Sequence, residues 1–265
     1  MKKSTFAKLV DREMRKHPHT KKRADFLWNY YKVDLDLLGL SLPVQRGRFK
    51  LGYKEIAEFP PEKQAEYWFH VWSKSGLMES LSQAVFFFEK WALDRKKLLK
   101  RGDIENVFDP LWPYLTKMID RCNNWVHSDG LSGLLSAAVE ERPARYALLK
   151  KWNRDKNPWR RRQSIVALHF YSRFRTKPLP SSKTLPLIRN LLHDDHFYVQ
   201  RGVGWALREC HNVDPKTAFR FIEKHIADIP PIGYFAAVEN FDAGTKARLK
   251  AKRLKARAKK SHTAR

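Results

Sequence analysis

Tyr198-Val199-Gln200-Arg201-Gly202-Val203-Gly204-Trp205-Ala206-Leu207-Arg208 is the stretch whose spacing decides the fold. Val199, Val203, Ala206 and Leu207 recur at the three- and four-residue intervals that share one helix face. Trp205 shares another face with Arg201 and Arg208. Two comparable stretches precede it. In Asn124-Trp125-Val126-His127-Ser128-Asp129, Trp125 and Asp129 fall on one face, and in Trp159-Arg160-Arg161-Arg162, Trp159 and Arg162 do.

Outward from these stretches the helical period continues. Leu81, Ala84, Val85, Phe88 and Leu93 follow it, as do Leu131, Leu134, Leu135 and Ala138, and Ile165, Leu168 and His169 extend the helix begun near Trp159. Breaks fall at Phe59-Pro60-Pro61, Asp109-Pro110, Arg142-Pro143, Pro178-Leu179-Pro180 and Pro230-Pro231. Asp129-Gly130, the main hairpin candidate, lies inside a helical pattern. Helix centres near Val85, Trp125, Arg162 and Trp205 are spaced by roughly forty residues, the period of HEAT-type repeats. Units of two helices cannot bury their apolar faces alone, so they stack. The expected fold is all-α, a HEAT-like helical-repeat solenoid with a concave basic surface; the residues alone leave a globular helical bundle open.

Composition narrows the partner. The 265 residues hold 53 Lys and Arg against 28 Asp and Glu, a net charge of +25, with 43% hydrophobic content for a core. Such an excess of positive charge draws polyanions: DNA, RNA or an acidic membrane surface. No apolar run approaches bilayer length, and Val85-Phe86-Phe87-Phe88 is bounded by Gln83 and Glu89. Met1-Lys2-Lys3-Ser4-Thr5 leads into charged residues rather than a signal core, and Cys122 and Cys210 have neither metal nor disulfide-framework spacing. A soluble intracellular monomer is the expectation, cytoplasmic and nucleoid-associated if bacterial, nuclear if eukaryotic. Residues 1–243 read as one domain and 244–265 as a flexible basic extension without a single acid, helical only on a partner. That extension serves either as a solubilising tail or as a phosphate anchor.

Most tryptophans at helical spacing belong to cores, and Trp28, Trp68, Trp72, Trp91, Trp112 and Trp152 are assigned there. Trp125, Trp159 and Trp205 differ because polar residues share their faces. Arg160, Arg161 and Arg162 are well placed for phosphates at the start of a repeat helix. His193-Asp194-Asp195-His196 has histidines three apart but no third ligand nearby, and reads as an inter-helix loop rather than a metal site. His127 lies off the Trp125/Asp129 face with no obvious partner. No P-loop, dinucleotide-binding glycine pattern or Ser-His-Asp order is present.

These segments, with Asn157-Pro158 before Trp159 and Glu209 after Arg208, resemble those of the AlkD-like alkylpurine DNA glycosylases over most of residues 110–240. Upstream, Leu38-Gly39-Leu40-Ser41-Leu42-Pro43-Val44-Gln45-Arg46 is similar to a family segment near the first helices, while the stretch around Tyr53–Lys74 matches poorly. The resemblance implies a HEAT-like solenoid on duplex DNA that excises cationic N3- and N7-alkylated purines without metal or organic cofactor. It places Asp129 at the catalytic carboxylate, Trp125 and Trp205 at aromatic walls facing the deoxyribose, and Arg162 on the backbone beside the lesion. Trp159 is kept as packing. Arg46, Arg160, Arg161, Arg201 and Arg208 are further expected DNA contacts. Departure of a cationic purine leaves positive charge on the sugar, which a carboxylate and indole faces would stabilise. The competing expectations are a non-catalytic HEAT protein that binds branched or damaged DNA and, more weakly, an RNA- or protein-binding scaffold.

Overall fold

The computed structural model describes residues 1–169 and 179–263. The helices are α1 (Lys3–Arg15), α2 (Lys21–Tyr31), α3 (Leu42–Lys50), α4 (Lys54–Ala57), α5 (Pro61–Lys74), α6 (Met78–Arg101), α7 (Trp112–Met118), α8 (Trp125–Glu141), α9 (Tyr146–Trp152), α10 (Pro158–His169), α11 (Ser181–Asn190), α12 (Phe197–Val213), α13 (Pro215–Lys224), α14 (Pro231–Ala237) and α15 (Ala243–Thr263). The only β-structure among the described residues is an isolated bridge between Asp36 and Leu77. The fold is all-α, as the spacing requires. Every proline break read from the sequence falls at a helix start or between helices, except that Pro178 lies outside the described residues. Pro61 and Pro231 begin α5 and α14, where a missing amide proton costs nothing.

The chain divides into two compact units, Met1–Glu141 and Arg142–Arg265. In the first unit, Phe6, Val10 and Met14 form the buried stripe of α1, which packs on α5. Phe6 meets Tyr53, Tyr67 and Trp68 edge-on at centroid distances of 5.6, 5.7 and 5.0 Å. The N-terminal half of α6 is buried all round, because α3, α5 and α8 pack against it. Its Glu79 is 1% exposed and accepts backbone N–H bonds from Leu38, Gly39 and Leu40, the shortest 2.8 Å from Gly39. Gly39 has φ +77°, and a Cβ there would press on the backbone of α2.

In the second unit α12 is the central helix, packed by α10, α11, α13 and α14. Val199, Val203, Ala206 and Leu207 are fully buried, as the opening stretch predicts. Gly204 crosses α14 at Gly233, backbone against backbone.

The segment after Gly244 differs from the expected loose extension. Leu249 is fully buried and Arg253 is 7% exposed. Arg253 donates to the carbonyls of Ile226 and Ile229 and lies 4.6 Å over the Tyr234 ring. Ala, Lys, Arg and Leu are the strongest helix formers, and this anchorage holds the segment helical despite the repulsion of its charges.

Candidate functional site

Asn124, fully buried, stands immediately before α8, and its side-chain oxygen accepts the His127 amide at 2.9 Å, an N-cap bond. Its amide nitrogen faces His127 Nδ1 at 3.1 Å, and His127 Nε2 meets Ser82 Oγ of α6 at 3.2 Å. Since the Ser82 hydroxyl donates to the Met78 carbonyl, the pattern assigns Nδ1 as acceptor and Nε2–H as donor. The ring also packs edge-on against Trp72 at 5.2 Å. Burial drives the His127 pKa down to about 4, so the ring is neutral near pH 7. His127 has the partners that its sequence context does not reveal, and they seat the start of α8 on α6.

That seat positions two half-exposed side chains. Trp125 is the first residue of α8, and Asp129 follows one turn later on the same face. Tyr30 and Tyr31 at the end of α2 meet the Trp125 indole edge-on, at 5.8 and 5.7 Å. An indole held by two tyrosine rings, with a carboxylate one turn away, supplies an aromatic ring and a negative charge that both attract a cation.

The second unit carries Arg162 on α10 and Trp205 on α12. Arg162 is 6% exposed, and its side chain runs beside Gly202, where a Cβ would come within 3.2 Å of Arg162 Cγ. Gly202 is therefore the space in which Arg162 is fixed. Trp205 is half-buried with the Arg208 guanidinium 5.8 Å from its ring. Trp159 is buried against Tyr198 and His196 at 5.2 and 6.0 Å, a packing residue as read.

A family description, DNA alkylation repair enzyme, matches residues 10–241. The chain belongs to that family. Its fold is the helical-repeat fold of a structure described as a predicted DNA alkylation repair enzyme from Enterococcus faecalis, with a TM-score of 0.66 at 12% identity, covering 85% of this chain and 97% of that one. No curated protein matches the sequence.

In this DNA alkylation repair family member, several arginines expected on phosphates are engaged with the protein's own acids. Arg161 grips Asp194 through two nitrogens at 2.5 and 3.1 Å and donates to the carbonyls of Asp155 and Lys156. Arg160 pairs with Asp155 at 2.8 Å. Together they brace the turn before α10 to the His193–His196 loop, which gives Asp194 a structural role in that loop. Arg208 pairs with Glu209 and Glu239, and Arg46 with Glu89 while lying 4.3 Å over Phe86. Arg201 remains exposed, 5.9 Å from the Phe197 ring. Trp28, assigned to the core from its type, is 50% exposed, since α2 buries no residue fully. Tyr30 and Tyr31 were missed. The one signal for them is their adjacency in sequence, and nothing there points to α8.

Proposed function

We propose that the protein is a monofunctional DNA glycosylase that hydrolyses the N-glycosidic bond of cationic N3- and N7-alkylated purines in duplex DNA. The observation that carries this reading is Asp129 one turn from Trp125 on α8, both half-exposed and braced by Asn124, His127 and Ser82, in a DNA alkylation repair family member. Alkylation makes the purine a cationic leaving group, so little general-acid help is needed. As the bond to C1′ breaks, positive charge develops on the sugar. Asp129 stabilises that charge and orients the water that adds at C1′, and Trp125 contributes cation–π attraction of about 0.5–2 kcal/mol. For the second unit, the resemblance to AlkD-like glycosylases assigns Arg162 to a backbone phosphate and Trp205 to an indole contact with deoxyribose. Arg162 is already fixed beside Gly202, so little side-chain freedom is lost on binding.

The test is release of 7-methylguanine from methylated duplex DNA, followed chromatographically. Asp129→Asn should lower the rate by roughly 100-fold or more, the scale of losing a group aimed at developing charge, with affinity for unmodified duplex retained. Equal release by both proteins would remove Asp129 from the chemistry. The net charge of +25 favours one further reading, a non-catalytic protein that binds branched or damaged DNA. Tight junction binding by a wild type that releases no base would establish it instead.

A further inference from the structure

Helix α15 begins just beyond the family's matched segment and carries nine Lys and Arg with no Asp or Glu. Three of the nine serve the fold. Arg253 is buried on the Ile226 and Ile229 carbonyls, and Arg248 and Lys252 reach Glu223 at 3.0 and 3.3 Å. Lys246, Lys250, Lys255 and Arg257 are exposed.

Helical spacing sorts them relative to the side buried at Leu249 and Arg253. Lys246, Lys250 and Arg257 project along one flank and Lys255 along the other, beside Arg248. The outermost ridge between the flanks holds Ala247, Ala251 and Leu254, all exposed. Ala247 and Ala251 on that ridge let a partner approach the first turns of the helix closely, while cations stand on both sides. At 1.5 Å per residue, 21 residues span about 31 Å, or roughly nine base pairs of duplex. Surfaces built only for solubility intersperse both signs. Here Lys246 and Lys250 stand four apart with no acid between them, a repulsion that a polyanion relieves. Anchorage of Leu249 and Arg253 also means the helix is formed before any partner arrives, which lowers the ordering cost of binding.

We propose that α15 is a second DNA-binding surface, independent of the lesion, that contacts duplex phosphates through Lys246, Lys250, Lys255 and Arg257. It shares with the proposed function only DNA as the partner, and nothing in it depends on the chemistry of Asp129.

The experiment titrates full-length protein into a labelled, unmodified 20-base-pair duplex at several salt concentrations. The quadruple variant K246Q/K250Q/K255Q/R257Q leaves Leu249 and Arg253 untouched, and Gln is a good helix former, so its thermal melt should match wild type. Each lost phosphate contact flattens the plot of log affinity against log salt by about 0.9. The quadruple variant should therefore have a slope shallower by roughly 2–4 and bind at least about tenfold more weakly at moderate salt. The charge-keeping variant K246R/K250R/K255R should retain wild-type slope and affinity. Unchanged slope and affinity in the quadruple variant would overturn the proposal. So would a variant that keeps its duplex affinity and loses binding only to anionic phospholipid vesicles, which would assign α15 to a lipid surface. Absence of base release by wild type would count against the glycosylase reading and leave these slopes unaffected.

Discussion

His127 is a neutral ring in a dry place, bonded at both nitrogens and facing Trp72. Its folded pKa, about 4, lies below the ordinary histidine value because burial disfavours the charged form. Between about pH 6.5 and pH 4 the unfolded chain binds a proton that the folded chain refuses. Stability is therefore full above pH 6.5 and falls on acidification, by roughly 1 kcal/mol per pH unit from this residue, until the folded pKa is reached. Urea midpoints at pH 7 and pH 5 should show this in wild type, and the pH 7-to-5 loss should be smaller in His127→Gln. An equal loss in both proteins would show that His127 is not its source. That Trp125 and Asp129 share a helix face was legible in sequence because they are one turn apart. The grip on His127 was not, since Ser82 stands 45 residues away and no spacing rule links them.

At the scale of elements, the helices could be read because their apolar periods are strict. Leu131, Leu134, Leu135 and Ala138 are all fully buried on α8. What could not be read is which helices meet and how closely. Gly204 illustrates the difference. Its helix is plain from the sequence, yet its role comes from the Gly233 backbone of α14, where an added Cβ would collide. Gly204→Ala should cost about 1–3 kcal/mol by overpacking, or more because backbone and not a flexible side chain must move. Gly47 on α3 has nothing within 4 Å of an added Cβ, so Gly47→Ala should be neutral or stabilise by up to about 1 kcal/mol. Paired denaturant titrations decide the matter, and similar midpoints would mean the α12–α14 crossing is looser than described. The arginine run shows the same limit. Arg160 and Arg161 pair with Asp155 and Asp194, and no helical spacing rule in the sequence reveals those partners.

At the scale of the molecule, composition was informative about the partner and silent about where its charges lie. A charge of +25 is a sum and says nothing of which cations are matched by acids across the fold. The acid-free C-terminus resembles a disordered tail by composition alone, and only the burial of Leu249 and Arg253 makes it part of the second unit. A reverse case closes the first unit. Residues 38–40 belong to no helix, so their amides would be expected to trade protons with water almost at once. Glu79, deep in α6, takes all three. Opening them requires stripping a buried carboxylate of its donors, an event tied to disruption of the unit rather than to local fraying. In deuterium exchange the Leu38, Gly39 and Leu40 amides should therefore persist as long as those in the middle of α6. Exchange at the rate of free loop amides would mean that this segment opens without the helix that holds it.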